Sequence, residues 1–191
     1  MIVRRRFIKS LVAGGILLPS IPQFLLGVEK GMDHSFSSIS DGSDMKEIRI
    51  ALIGKGGMGT ADTNTALSVG GVKLVAVCDL YDARLKLAKE QWGDHLFVTK
   101  DFQDILRRKD VDVVLIGTPD HWHQPIAIAA MKAGKHVYCE KPVIHKIEEG
   151  RELVDAQRAS GSYFQTGSQG MASLGNRKAR QLVQAGIIGK V

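Results

Sequence analysis

Three groups of residues have the types and spacing of a ligand site. The first is Gly54-Lys55-Gly56-Gly57-Met58-Gly59, which follows the apolar run Ile48-Arg-Ile-Ala-Leu-Ile53 and has the form G-x-G-x-x-G. In such a turn the first glycine permits the tight reversal. The second leaves no Cβ between backbone and diphosphate, and the third lets the following helix lie close on the strand. The helix start adds N–H groups without intrahelical partners and a partial positive charge, both suited to phosphate. Gly54, Gly56, Gly57, Met58 and Gly59 are therefore the expected cradle. Asp79 ends a second apolar run 20 residues past Gly59, matching the separation of about 20 at which a carboxylate takes the hydroxyls of an adenosine ribose. The chemistry indicated is dinucleotide binding. A carboxylate there repels a 2′-phosphate, and Leu80, Tyr81 and Asp82 follow it with no arginine, so NAD is favoured over NADP. Asp79 is equally placed to cap the next helix, and the two roles are compatible.

The other two groups also stand just after apolar runs. Thr118-Pro119-Asp120-His121-Trp122-His123 follows Val111–Ile116, and Glu140-Lys141-Pro142 follows His136–Cys139. In an open α/β sheet ligands bind beyond the carboxyl ends of the strands, so these positions carry more weight than those inside the runs. Taken alone, Lys141 reads as an ion-pair partner of Glu140 or Glu148. For His123, packing at a helix start stands beside contact with substrate. His121 and His123 raise the question of zinc, which takes three or four ligands. His95, His136 and His145 have no spacing that brings them in, and no metal is expected.

These groups must be positioned by alternating strands and helices. The runs at 48–53, 72–78 and 111–116 are short, nearly continuous and rich in β-branched residues, as in parallel strands covered on both faces. His95–Val98, His136–Cys139 and Tyr163–Thr166 complete six expected strands. Helices are expected over Asp82–Trp92, Asp101–Arg108 with Asp101 as cap, Trp122–Ala133 with Gly134 as its stop, and Ile147–Ala159. The result is an α/β fold with a doubly wound parallel sheet over residues 47–168.

The chain has 191 residues and a formal net charge of +6. Its basic residues after the first 44 are interleaved with acidic ones, as in Asp104, Arg107, Arg108 and Asp110, so nucleic acid is not an expected partner. The trio Arg177, Lys178 and Arg180 reads as a solvated helix face. Cys78 and Cys139, the only cysteines, each end an apolar run and read as small buried hydrophobes. The first 28 residues carry Arg4-Arg-Arg-Phe-Ile-Lys9, followed by Leu11–Leu18. That apolar run is shorter than the roughly 20 residues needed to cross a bilayer. The order of basic patch and apolar stretch resembles a twin-arginine export signal built on Arg4 and Arg5, with Val3 where serine or threonine is usual. It implies export machinery as a partner and a periplasmic location. The alternative is a cytoplasmic or membrane-attached chain with an uncleaved signal. Residues 29–46, rich in Ser and Gly, read as a flexible linker.

The glycine turn, Thr118-Pro119 with His123, the run Ala133-Gly-Lys-His-Val-Tyr-Cys-Glu-Lys-Pro142 and the closing Ala185-Gly-Ile-Ile-Gly-Lys-Val191 together resemble the Gfo/Idh/MocA oxidoreductases. The resemblance covers about residues 46–191. It implies a Rossmann domain followed by a C-terminal α/β substrate domain on an open sheet, of which residues 169–191 would form only the start. It also implies hydride transfer between a nicotinamide cofactor and a sugar, cyclitol or related alcohol. Lys141 would lie beside the nicotinamide and the substrate hydroxyl, where the positive ring lowers a lysine's hold on its proton. His123 would be the family's histidine, Glu140 would lie on the cofactor side, Thr118 and Pro119 would line the nicotinamide ribose, and the bond before Pro142 would be cis. Asp120 replaces the usual asparagine, and Gly167-Ser-Gln169-Gly170 replaces an Arg-Phe pattern. Two alternatives follow from the same resemblance: a glycosidase that uses transient oxidation by retained NAD, and a non-catalytic NAD-binding module. Homo-oligomers would form through the missing domain.

Overall fold

The computed structural model describes residues 47–189. The expected export signal and linker lie outside the described residues. Strands β1 (Ile48–Ile53), β2 (Val72–Cys78), β3 (Phe97–Thr99), β4 (Val113–Ile116), β5 (His136–Glu140) and β6 (Phe164–Gly167) form one sheet in the order β3-β2-β1-β4-β5-β6. All pairings are parallel. Helices α1 (Gly57–Leu67), α2 (Asp82–Trp92), α3 (Phe102–Arg107), α4 (His123–Lys132) and α5 (Glu149–Ser160) connect them, and α6 (Leu174–Gln184) follows β6.

Alternation along each strand divides the apolar side chains between two layers. Ala51, Ile53, Ala76, Cys78, Val114 and Ile116 pack with Ile105 of α3, Ile126 and Met131 of α4 and Leu153 of α5. Ile50, Leu52, Leu74, Val77 and Leu115 pack on the other face with Leu85 and Ala88 of α2. Both faces of the sheet are covered, which is why the central strands are continuously apolar over Ile50–Ile53 and Val113–Ile116. The chain runs outward through β1, β2 and β3, then returns to β4 beside β1. A crevice therefore opens between the ends of β1 and β4, where ligands of such sheets bind.

Most expected bounds agree to within two residues. The strand expected from Val111 begins at Val113, because the backbone N–H of Asp112 instead bonds to Arg49 O at 2.8 Å and pairing with β1 starts opposite Ile50. The helix expected from Trp122 is divided into a 3-10 turn at Asp120–Trp122 and α4 proper. Asp101 caps α3 as expected, accepting from Gln103 N at 2.9 Å. Gly134 ends α4 with φ of 73°. The basic trio lies on exposed α6. Among the described residues no helix is long and apolar enough to cross a membrane.

Candidate functional site

The G-x-G-x-x-G turn is held by steric necessity at two of its glycines. Gly54 has φ of 93°, and a Cβ there would stand 2.7 Å from the backbone of Gly117. A Cβ on Gly59 would stand 2.2 Å from Gly54 O. Gly117 completes the contact, since its own Cβ would lie 2.8 Å from Gly59 Cα. The turns after β1 and β4 and the start of α1 thus meet on three glycines. A Cβ on Gly57 would meet nothing within 4 Å, so the outer side of the turn is open at the N-terminus of α1. A diphosphate fits there: the first N–H groups of an eleven-residue helix lack intrahelical partners.

Asp79 ends β2 on one side of this turn and is 6% exposed. Its Oδ2 accepts from Lys55 N at 2.8 Å, and its Oδ1 accepts from Tyr81 N at 3.0 Å. The second bond fixes the turn into α2, whose N-cap is Tyr81 with no side-chain cap bond, so Asp79 holds the approach to the helix and does not cap it. Arg84 also reaches Asp79 Oδ2 at 3.3 Å and lies 4.9 Å from the Tyr81 ring centroid. The absence of an arginine immediately after Asp79 did not foreshadow this one, because a turn and the first residues of a helix bring position 84 back to the strand end. A cavity of about 530 Å³ opens here, lined by Asp79, Tyr81, Arg84, Phe102, Pro119 and Trp122 among others.

A second cavity of about 300 Å³ lies on the other side of the turn. It is lined by Gly56, Gly57, Met58, Gly117, Thr118, Asp120, His123, Glu140 and Lys141. The structure therefore brings together most of the residues singled out after three different strands. Gly117 and Thr118 border both cavities, and Thr118 Oγ1 is buried without a hydrogen-bond partner. A buried orphan hydroxyl is costly unless something satisfies it, and its place between two cavities suits a polar ligand atom.

Lys141 is exposed and follows β5. Its ammonium makes no ion pair or hydrogen bond among the described residues, so the pairing with Glu140 or Glu148 is not formed. The Lys141–Pro142 bond is cis. Glu140, 5% exposed, is held by Gln169, whose amide nitrogen donates to its Oε1 and also approaches Asp62 Oδ1 at 3.0 Å and the Tyr138 hydroxyl at 2.9 Å. Burial, with the nearby Glu140 carboxylate, raises the Asp62 pKa, while the Gln169 bond opposes the rise.

His123 is 2% exposed. Its Nδ1 lies 2.6 Å from Pro142 O and its Nε2 2.8 Å from Thr118 O. Both ring nitrogens lie within hydrogen-bond distance of backbone carbonyls. The ring ties the loop after β5 to the loop after β4 while bordering the second cavity. A second tie joins the same loops, with His145 Nδ1 lying 3.3 Å from Asp120 Oδ2. Among the described residues no group of three or more His, Cys, Asp or Glu side chains could hold a metal ion. Cys78 and Cys139 are buried and unpaired.

Residues 48–168 match the model of the Gfo/Idh/MocA family, described as an oxidoreductase family with an NAD-binding Rossmann fold. A glycosyl hydrolase family 109 protein of Solibacter usitatus is 37% identical over 124 residues, 59% of this chain and 28% of that protein. An inositol 2-dehydrogenase of Salmonella agona is 28% identical over 145 residues, 75% of this chain and 43% of that protein. Among solved structures, a myo-inositol 2-dehydrogenase from Lactobacillus plantarum has a TM-score of 0.70 at 31% identity, covering 76% of this chain and 43% of its own. A scyllo-inositol dehydrogenase from Lactobacillus casei, with bound NAD(H) and scyllo-inositol, has a TM-score of 0.69 at 33% identity, with coverage of 76% and 43%. The chain spans less than half the length of these relatives. Its matched sequence, parallel six-stranded sheet and glycine turn place it in the Gfo/Idh/MocA family, to which this chain belongs.

Proposed function

We propose that the chain is the dinucleotide-binding part of an NAD-dependent oxidoreductase acting on a sugar, cyclitol or related alcohol. The observation that carries this reading is the pair of cavities on either side of one glycine turn, with Asp79 bordering one and Lys141 the other. A dinucleotide has two arms joined by a diphosphate. With the diphosphate at Gly56, Gly57 and Met58 and the adenosine ribose at Asp79, the other arm extends toward Thr118, Glu140 and Lys141. NAD, when bound, supplies the hydride acceptor. The chain's own residues hold and orient: Asp79 receives ribose hydroxyls, Thr118 Oγ1 meets a polar ligand atom, and His123 fixes the two loops that carry Thr118 and Lys141. The Lys141 side chain, without a partner among the described residues, would donate a hydrogen bond to the alcohol oxygen as the ammonium and accept the alcohol proton as the neutral amine. Asp79 favours NAD over NADP by like-charge repulsion. Export through a twin-arginine route, resting on Arg4, Arg5 and Phe7-Ile8-Lys9, belongs to the same reading, as does a carbohydrate-like substrate.

The 37% identity with a family 109 glycosyl hydrolase supports a second reading, in which oxidation is transient and a glycoside is cleaved. Calorimetric titration of the 191-residue chain with NAD tests the common element; no heat of binding defeats both readings. Assays of the protein from its complete coding sequence then separate them. Net growth of NADH absorbance with a panel of sugars and cyclitols is expected for the oxidoreductase, and aglycone release without net NADH for the glycosidase.

A further inference from the structure

The cavity bordered by Lys141 is charged unevenly. Lys141 contributes a cation, and two carboxylates border the same space, Glu140 and Asp120. Glu140 is turned toward the Gln169 amide. Asp120 is held at the rim from two directions. Its Oδ1 accepts from His121 N at 2.9 Å, and its Oδ2 faces His145 Nδ1 at 3.3 Å. His121 Nδ1 lies 3.8 Å from Oδ1. The His145 bond, with the His121 N–H, keeps the Asp120 carboxyl below the usual carboxylate range, so it is ionised near neutrality. Glu140, Asp120 and Lys141 together leave this cavity one negative charge whenever both imidazoles are neutral, and Asp120 is the carboxylate at its rim.

Resting on the reading that the nicotinamide arm occupies this cavity, we propose that Asp120 is a specificity-determining residue for cofactor state, making the chain bind oxidised NAD more tightly than NADH. The two ligands have the same adenosine and diphosphate, and their rings differ by one positive charge. The ratio of their affinities therefore isolates what the cavity does with that charge. Replacing Asp120 by asparagine keeps the shape and an acceptor for the His121 N–H while removing the charge. Asp120 is partly exposed, so screening limits the effect to about three- to tenfold in the affinity ratio.

The test is calorimetric titration of the unsubstituted chain, Asp120→Asn and Asp120→Ser with NAD and separately with NADH, at pH 8, above the ordinary imidazole range. The expected result is tighter NAD than NADH binding by the unsubstituted chain. Both variants should then show an NAD Kd raised about three- to tenfold and an NADH Kd within about twofold of the original. Retained NADH binding also reports that the variants are folded. An unchanged ratio, or equal weakening of both ligands, overturns the proposal and leaves the dinucleotide reading standing. Failure of the unsubstituted chain to bind either ligand defeats the dinucleotide reading and this inference with it.

Discussion

The carboxylate of Asp79 accepts the backbone N–H of Lys55 at 2.8 Å, across 24 residues of sequence. The group proposed to hold a ribose thus also fixes the glycine turn proposed to hold the diphosphate. Asp79→Ala leaves a buried N–H without an acceptor, which costs about 1–3 kcal/mol. We expect both a lower Tm and an NAD Kd raised by about tenfold or more, because hydrogen bonds to a charged group contribute roughly 1.5–3 kcal/mol. Asp79→Asn retains an amide oxygen for Lys55, so its Tm falls less. It also removes the charge that repels a 2′-phosphate while leaving Arg84 in place, so the NADP-to-NAD affinity ratio rises. Thermal unfolding and calorimetry on the two variants check both parts; an unchanged ratio in Asp79→Asn removes Asp79 from cofactor choice.

Gly59 and Gly57 lie two residues apart and predict opposite outcomes. A methyl at Gly59 meets Gly54 O at 2.2 Å, so Gly59→Ala forces backbone to shift and costs about 1–3 kcal/mol or more. A methyl at Gly57 meets nothing within 4 Å, and alanine inside a helix is better than glycine by roughly 0.5–1 kcal/mol. Gly57→Ala should therefore preserve Tm while weakening NAD, since the new methyl stands on the open side of the cradle. Equal Tm for the two variants would contradict the packing described.

Burial pushes the thiols of Cys78 and Cys139 up to about 12 in each case, with nearby carboxylates, Asp79 first for Cys78 and Glu140 for Cys139, adding to the rise. Thiolate is the reactive form. In folded protein at pH 8 neither cysteine should react with a thiol-specific chromogenic reagent, and both should react on denaturation. Rapid labelling of one thiol before unfolding would show that its strand end is open.

Asp104 accepts from Thr99 Oγ1 at 2.6 Å and is paired with Arg107. These contacts hold its pKa below the ordinary carboxylate value, the Thr99 bond contributing most. A depressed folded-state pKa means the stabilisation is complete above the unfolded value of about 3.9 and is lost as pH falls through the lower folded value. Asp104→Asn should accordingly flatten the dependence of stability on pH below about 4. Denaturant unfolding from pH 6 to pH 3 reads this slope, and identical slopes for both proteins would count against the bond.

The framework was legible because its signals are local. β-Branched runs bounded by Gly, Asp or Thr marked the strands, and the helix over Asp82–Trp92 was expected at the bounds observed. Glycine spacing marked the turn, and Asp79 marked the neighbouring strand end. The misses are contacts that exist only once crossovers have folded. Arg84 reaches Asp79 around the start of α2, Gln169 joins Asp62 and Glu140 across 107 and 29 residues, and Asp120 meets His145 across 25. None of these pairs has a periodic spacing. Gly117 had a readable signal, a glycine immediately after a buried strand, though its partner Gly59 could be found only in space. His123 was recognised by motif, but its bonds to Thr118 and Pro142 carbonyls depend on two loops from neighbouring strands.

The meeting of Gly54, Gly59 and Gly117 makes the packing around Gly117, which borders both cavities, nearly incompressible. Reshaping either compartment from below disturbs the other. Diversification toward new ligands is consequently channelled to the rims, where Tyr81 with Arg84 and Asp120 with His145 can change as pairs without moving the glycines.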